Sequence, residues 1–364
     1  MHRIQYFCIC TFCFCALLVV AGCGSNPIRT GGNTPPVTNS PTPPSPTPPP
    51  PTTPSSVTEP SVYVVGGSTG PWPSVLVFPQ TASGQTSATL EIQGDQVSLD
   101  GAGNVYVLEA SSINEYSANS LNGPPTRSLP LGPGTAVSIV KDVMASSTGE
   151  IFVSDGTGIA VFSPTATGNA TPLRYILGPT QQAGGAKPAF SPGFIAVDSS
   201  DNTYAQNTSD STIVVFGPKD TGNVVPARTI SGPLTRVSGS GNYITGMTTD
   251  TVGNLYVVCL CMGTDGTGRY DFGVFQFDPA ANGNVAPIRY VSAPKMGPYF
   301  GNDSVAVDSA GTIYVSAIYP NFTATSSVPA VFEFSASDSG TVAPLKTVTL
   351  DGWTSADSSR IAVH

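Results

Sequence analysis

The chain has 364 residues, and only 10% of them are Asp, Glu, Lys or Arg, against a norm of about 25%. Glycine (39) and proline (35) are abundant, which disfavours a helical bundle because both residues break helices. The 14 Lys and Arg residues face 23 Asp and Glu residues, and the resulting net charge of −9 is unfavourable for binding nucleic acid. Hydrophobic residues make up 40% of the chain, too many for wholesale disorder. The composition therefore indicates a β-rich protein with a weakly charged surface.

Residues 1–22 have the layout of a secretory signal peptide, with a short basic start and an apolar run from Ile4 to Val20. A transmembrane helix is the alternative, but the run is marginal in length for spanning and no Lys/Arg cluster follows it. The run ends in Val20-Ala21-Gly22-Cys23, which resembles the lipobox of bacterial lipoproteins. The resemblance implies that Cys23 is lipidated and anchors the chain to a membrane. Gly24 stands where an Asp favours inner-membrane retention, so we expect the outer membrane or the cell surface of the bacterial envelope.

Residues 23–60 form a second unit, composed mainly of Pro, Thr and Ser. From Pro35 to Pro60, 12 of 26 residues are proline, so no core can form there. At about 3.1 Å per residue, an extended segment of this length holds a domain up to roughly 80 Å from its anchor. We therefore expect a spacer between the lipidated Cys23 and residues 61–364.

Two cysteines, Cys259 and Cys261, lie in the body of the chain. They share one face of a strand because they are two residues apart. An ideal strand places such Cα atoms near or beyond the limit for a disulfide. A Cys-x-Cys metal site would need two further ligands, and the surrounding sequence offers none. We expect two buried free thiols.

Residues 61–364 contain six copies of a repeat whose clearest element is a short strand with a central aromatic residue. Each copy continues with two further strands that alternate apolar and polar residues between Gly, Asn and Pro turns. The central aromatic residues are Tyr63, Tyr106, Phe152, Tyr204, Tyr256 and Tyr314.

A fourth strand precedes the aromatic strand in five copies, as in Val305-Ala-Val-Asp308. The copy that should precede Tyr63 stands instead at the far end of the sequence, as Ile361-Ala-Val-His364. This displacement predicts that the last strand completes the first unit and closes a ring. Six four-stranded units closed in this way describe an all-β, six-bladed β-propeller. An open array of β-sandwiches is the alternative, and it gives no reason for the split copy.

The repeat resembles those of NHL-repeat and gluconolactonase-like propellers, which share the run seen in Met247–Val257 and Val305–Val315. Gluconolactonase-like enzymes hold a divalent cation in the central channel with Glu, Asn and Asp. That set has no residue-by-residue match here. A metal-dependent, lactonase-like hydrolase is therefore the alternative function, and we expect no cofactor.

Aspartates recur at the end of the first strand in four copies: Asp100, Asp198, Asp250 and Asp308. They could form a ring of carboxylates for a metal. Their position at the entry to a hairpin instead favours hydrogen bonds to the backbone N–H groups of the turn.

Catalytic side chains are scarce. His364 is the one histidine outside the signal peptide, which disfavours histidine-based catalysis. We therefore expect a non-catalytic module that binds an unknown protein, peptide or carbohydrate. The expected ligand face is built from the loops after each second strand and the links between blades, where aromatic residues stand with a few charges. Its candidate residues are Trp72, Arg269, Tyr270, Asp271, Lys295, Tyr299, Tyr319 and Trp353.

Overall fold

The structure is a computed structural model. It describes residues 59–67, 73–137, 139–179, 190–239, 241–262, 270–294, 296–297, 303–319, 328–350 and 360–364. For Met262, Tyr270, Ile318, Tyr319, Val328 and Leu350 the backbone alone is described.

The described residues contain six sheets, one for each predicted repeat, and the four main strands of each pair antiparallel. Two of the sheets have a short fifth strand that pairs parallel with the outer edge. Blade 1 contains β1 (Ser61–Gly67), β2 (Pro73–Pro79) and β4 (Leu90–Gln93), with β26 (Ile361–Val363) as its first strand; β3 is Gly84–Thr86. Blade 2 contains β5 (Gln96–Leu99), β6 (Val105–Glu109), β7 (Ser112–Tyr116) and β8 (Arg127–Pro130). Blade 3 contains β9 (Asp142–Ala145), β10 (Ile151–Ser154), β11 (Ile159–Phe162) and β12 (Arg174–Ile176).

Blade 4 contains β13 (Pro192–Val197), β14 (Thr203–Asn207), β15 (Thr212–Phe216) and β16 (Arg228–Ile230). Blade 5 contains β17 (Tyr243–Thr249), β18 (Leu255–Met262), β19 (Tyr270–Phe277) and β20 (Arg289–Ser292). Blade 6 contains β21 (Ser304–Val307), β22 (Ile313–Tyr319), β23 (Val328–Phe334) and β25 (Lys346–Leu350); β24 is Gly340–Thr341. Two one-turn 3₁₀ helices span Pro133–Thr135 and Pro233–Thr235.

The first strands of the blades surround a central axis. Neighbouring first strands contact each other in the circuit β26, β5, β9, β13, β17, β21 and back to β26. Strand β26 pairs antiparallel with β1, with Val363 opposite Val62 and Ile361 opposite Val64. The predicted all-β, six-bladed propeller is confirmed.

The hydrophobic core lies between the blades and is divided into six clusters. One cluster joins Tyr106 of blade 2 to Val143, Ile151 and Phe162 of blade 3. Because each blade is covered on both faces by its neighbours, the second strands are buried along nearly their whole length. Each fully buried aliphatic or aromatic side chain contributes about 1.5–3 kcal/mol. This two-sided burial explains why the aromatic strands are apolar on both faces.

Glycines in the turn between the third and fourth strands cover the outer edges of neighbouring blades. Gly222, with a φ of 66°, donates its N–H to Tyr175 O in the preceding blade and forms a parallel bridge with Ile176. Gly283 repeats this arrangement against β16. An L-residue with a side chain is strained at such a φ, which accounts for part of the glycine content. The outer edges of β12 and β16 are thereby closed to further pairing.

The recurring aspartates hold the hairpins, as predicted. Asp100 Oδ1 accepts hydrogen bonds from the N–H groups of Ala102 and Asn104, each at 2.9 Å. Its Oδ2 accepts from Asn104 Nδ2 at 2.8 Å and from the Tyr106 hydroxyl at 3.1 Å. Turns of the same kind recur at Asp198, Asp250 and Asp308.

The expectation of free thiols at Cys259 and Cys261 is wrong. The two residues, both fully buried on β18, form a disulfide with a Cα–Cα distance of 5.4 Å. That distance is shorter than the spacing of alternate residues in an ideal strand and lies within the usual range for a disulfide. The neighbouring strand β17 shifts register between Ile244 and Gly246, opposite Cys259. The ideal geometry assumed from the sequence therefore does not hold there.

Candidate functional site

The central axis contains a small cavity of about 100 Å³. Most of its lining comes from the middle of the first strands and is apolar or small. The lining residues are Val97, Ser98, Leu99, Met144, Met247, Thr248, Val305, Ala306, Val307, Arg360, Ile361, Ala362 and Val363. Arg360 is thus the one charged group in this lining.

Arg360 forms an ion pair across the axis. It stands immediately before β26 in blade 1, and its guanidinium contacts the carboxylate of Asp142 in blade 3. The guanidinium also lies 5.6 Å from the centre of the Phe194 ring in blade 4. Burial lowers the pKa of Arg360 to about 10, so the side chain stays protonated at neutral pH. One buried side chain therefore joins blades 1, 3 and 4 at this end of the axis.

Asp142 is held in place by more than the arginine. Its side chain is buried, and its Oδ2 accepts a hydrogen bond of 2.8 Å from the backbone N–H of Ile195 in the next blade. Its Oδ1 accepts from the N–H of Val143 at 3.0 Å. The carboxylate is therefore occupied by protein donors, and its chemistry is that of a structural acceptor.

Two buried hydroxyls at the same ends of neighbouring first strands have no hydrogen-bond partner among the described residues. They are Thr245 Oγ1 in blade 5 and Ser304 Oγ in blade 6, on residues that are about 5% and 1% exposed. Gly246 lies between them, and a Cβ on it would stand 2.9 Å from Ser304 Cα. These hydroxyls are polar but carry no charge, so they provide hydrogen bonds and no acid or base near neutral pH.

Most of the predicted ligand-face residues lie outside the described residues. Trp72, Arg269, Lys295, Tyr299 and Trp353 belong to that group. Two more, Tyr270 at the start of β19 and Tyr319 at the end of β22, have a described backbone alone. Their use in binding stays a prediction.

Asp271, the remaining candidate, is engaged by its own protein. Its carboxylate forms an ion pair with Arg236, and 42% of the Asp271 side chain is exposed. The Arg236 guanidinium lies 4.9 Å from the ring centre of Phe275 and 5.2 Å from that of Tyr290. The sequence did not indicate this partner. A ligand at Asp271 would meet a carboxylate that is already neutralised.

Five of the scarce basic residues stabilise the blades themselves. Each opens the fourth strand of its blade, as Arg127 does in blade 2, where it pairs with Glu115. Arg127 also donates to the Tyr106 hydroxyl at 3.5 Å and to Ala166 O of blade 3 at 3.3 Å. The equivalent residues are Arg174, Arg228, Arg289 and Lys346. These cations are used for packing and are not free for a ligand.

Neither Arg360 nor Asp142 was predicted from the sequence as part of a site. The repeat did contain a hint, because each of the two residues directly precedes the apolar residues of its blade's first strand. Taken singly, each looks like an ordinary polar residue in a link between blades. Only the ring geometry brings positions from blades 1 and 3 together.

Within the described part of the chain, no group of three or more His, Cys, Asp or Glu side chains is placed to hold a metal ion. No helix among the described residues is long and apolar enough to cross a membrane.

No protein-family model and no curated protein matches the chain. Among solved structures, a protein of unknown function from Bacteroides caccae aligns with a TM-score of 0.54 and 12% identity, covering 84% of this chain and 99% of its own. A provisionally assigned 6-phosphogluconolactonase from Bacteroides fragilis aligns with a TM-score of 0.44 and 11% identity, over 85% and 99% of the two chains. Virginiamycin B lyase from Staphylococcus aureus aligns with a TM-score of 0.40 and 13% identity, over 75% and 85%. The first likeness supports the fold alone, and the other two carry no argument.

Proposed function

We propose that the chain is an exported, lipid-anchored propeller that acts as a non-catalytic binding module at the bacterial cell envelope. The anchor is Cys23, and the Pro-rich segment up to Pro60 serves as the spacer. The ligand is a protein, a peptide or a carbohydrate. The net charge of −9 argues against nucleic acid as a partner.

The observation that carries the non-catalytic proposal is the composition of the axis. Its described lining is apolar apart from Ser98, Thr248 and Arg360. Hydrolysis assisted by a metal needs several oxygen ligands that converge on one open position. On this axis the Asp142 carboxylate already accepts from Arg360 and from backbone N–H groups.

The anchor is tested by membrane fractionation of a bacterial host that expresses the full chain. The wild type is expected in the membrane fraction and labelled by a radioactive fatty acid, whereas Cys23→Ala is expected to be unlabelled and released. Gly24→Ala serves as the control, because it changes the neighbouring residue and keeps the thiol. An unlabelled wild type, or a Cys23→Ala variant that still sediments with membranes, overturns the anchor.

The binding function is tested with glycan and peptide arrays probed with the detergent-solubilised full chain. Parallel assays measure lactone hydrolysis with Ca²⁺, Mg²⁺, Mn²⁺ and Zn²⁺ added. Saturable binding without turnover is the expected result. Metal-dependent turnover that follows the protein through purification would replace the proposal with the lactonase-like hydrolase.

A further inference from the structure

The boundary between blades 1 and 2, called here the first seam, departs from the repeating pattern of the propeller. At four other boundaries, a basic residue on the fourth strand of one blade donates hydrogen bonds to backbone carbonyls of the next blade. Those carbonyls lie in the turn that joins the third and fourth strands of the next blade. Those residues are Arg127, Arg228, Arg289 and Lys346. In blade 1, Leu90 takes this position, and Val77 stands opposite it where blade 2 has Glu115. The first seam therefore lacks the cation that bridges its counterparts.

The groups that would receive this cation are still present. Tyr63 corresponds to Tyr106 and is about 3% exposed, yet its hydroxyl has neither a donor nor an acceptor among the described residues. Ala118 O corresponds to Ala336 O, which accepts from Arg289. No described residue donates to the Ala118 carbonyl. Two acceptors are thus arranged for a donor that no described residue supplies.

The first seam also differs at the end of blade 1 where the other blades have the turn between their first and second strands. No hairpin turn joins β26 to β1, because the two strands come from opposite ends of the sequence. In blade 2, by contrast, the turn after β5 places Asp100 against the Tyr106 hydroxyl. His364 occupies the equivalent place in blade 1, and its Nε2 lies 2.6 Å from where a Cβ of Gly103 would be. Tyr63 therefore lacks the carboxylate as well as the guanidinium.

A cavity of about 650 Å³ occupies this region. Tyr63, Ala118 and Asn119 line it, together with His364 and the acidic residues Glu59 and Asp308. The Asp308 carboxylate is engaged by its own turn and by the Tyr314 hydroxyl. Glu59 forms no ion pair with any described residue. Among the described residues, the lining is rich in acceptors and carries no Lys or Arg.

We propose that this cavity binds a cationic group, a guanidinium or a primary ammonium, carried by a small amine or by a basic side chain of a polypeptide. The cation donates to the Tyr63 hydroxyl and to Ala118 O, as Arg289 donates to the Tyr256 hydroxyl and to Ala336 O within the propeller. Glu59 at the rim supplies the opposite charge. None of the predicted ligand-face residues is among the described residues that line this cavity.

Calorimetric titration of the full chain in detergent tests the proposal. The probes are ethylguanidinium and ethylamine, with ethylurea as an uncharged molecule of similar shape. A short glycine-flanked arginine peptide distinguishes a polypeptide side chain from a free amine. We expect the cationic probes to bind with a Kd near or below about 1 mM and ethylurea to bind at least about tenfold more weakly. Stronger binding of the peptide than of ethylguanidinium indicates a polypeptide partner; equal or weaker binding indicates a small amine.

Leu90→Arg supplies the missing guanidinium from within the chain and is expected to abolish binding. Gln93→Arg adds the same charge on the same strand, with its side chain on the opposite face, and is expected to leave binding unchanged. Tyr63→Phe removes one acceptor and is expected to weaken binding about tenfold, since a hydrogen bond to a charged group is lost. Thermal unfolding of each variant verifies that it is folded.

Three outcomes overturn the proposal. They are the absence of binding by the wild type at about 10 mM probe, equal binding of ethylurea and ethylguanidinium, and undiminished binding by folded Leu90→Arg or folded Tyr63→Phe. Failure of the glycan and peptide arrays counts against a polypeptide carrier alone, because the free cations are titrated separately in solution.

Discussion

The ion pair between Arg360 and Asp142 gives the sharpest test of how the propeller is held together. Both side chains are buried, and they belong to blades 1 and 3. Arg360→Met removes the cation while keeping an unbranched side chain of similar reach. It leaves the Asp142 carboxylate buried with backbone N–H donors alone.

The expected cost follows from the burial of the group that remains. Breaking a buried ion pair by removing one partner destabilises a protein by about 3–5 kcal/mol, because an uncompensated charge stays inside. That is a large part of the roughly 5–15 kcal/mol by which a domain is stable. Asp142→Asn keeps an acceptor for Ile195 N and removes the charge, so the double variant Arg360→Met/Asp142→Asn leaves no buried ion. It is expected to be less destabilised than the sum of its parts, with a coupling of about 1 kcal/mol or more.

Equilibrium denaturation followed by two spectroscopic probes measures these free energies. Asp271→Asn breaks the more exposed pair with Arg236 and serves as the control, with an expected cost of about 1 kcal/mol or less. Hydrogen exchange localises the effect, because the N–H of Val65 donates to Arg360 O at 2.8 Å. Its exchange should accelerate in Arg360→Met more than that of blade 4 amides. A cost below about 1 kcal/mol for Arg360→Met, or strict additivity in the double variant, would refute the reasoning.

Three further predictions concern the repeat and the disulfide. Burial raises the pKa of Tyr106 and of Tyr256 to about 12, so the stability they contribute is complete below pH 10 and is lost as the pH rises toward 12. The part of the tyrosinate absorbance that Tyr106→Phe and Tyr256→Phe remove should therefore appear together with alkaline unfolding, and its appearance well before unfolding would contradict this. In unfolded but unreduced protein, Cys259 and Cys261 should resist alkylation, and after reduction both should be alkylated, as detected by peptide mass spectrometry. Alkylation without reductant would disprove the disulfide. Asp100→Ala should lower the unfolding free energy by about 1–3 kcal/mol through its lost turn hydrogen bonds, with Asp100→Asn less affected, and unchanged stability would show that the turn does not need the carboxylate.

Local patterns in the sequence were enough for the blade architecture. The residue types of a strand such as Val105–Glu109 predict that both of its faces are buried, because both faces must be apolar when a blade lies on either side. The hairpin aspartates were predictable for the same reason, since the groups that Asp100 binds lie within six residues of it. Ile361–Val363 was assigned to blade 1 because it repeats a strand that the first copy lacks.

Contacts between residues of different blades, and local departures from ideal strand geometry, were decided by the tertiary structure. Arg360 and Asp142 are far apart in the sequence. They share a place in the repeat, but that pattern does not pair blade 1 with blade 3, and the ring alone brings the two side chains into contact. The disulfide of Cys259 and Cys261 depends on a local departure from ideal strand geometry beside a register shift, which a pattern of residue types does not encode.

The small number of charged residues in the chain has a physical explanation in the packing of the blades. The basic residues that open the fourth strands are used between the blades, and one more, Arg360, is used on the axis. Sequence fixes where such a side chain stands within its own repeat, because that depends on neighbours in the chain. Which groups it meets depends on the neighbouring blade. The acceptors that have no described donor because Leu90 replaces the basic residue are therefore visible only in the assembled ring.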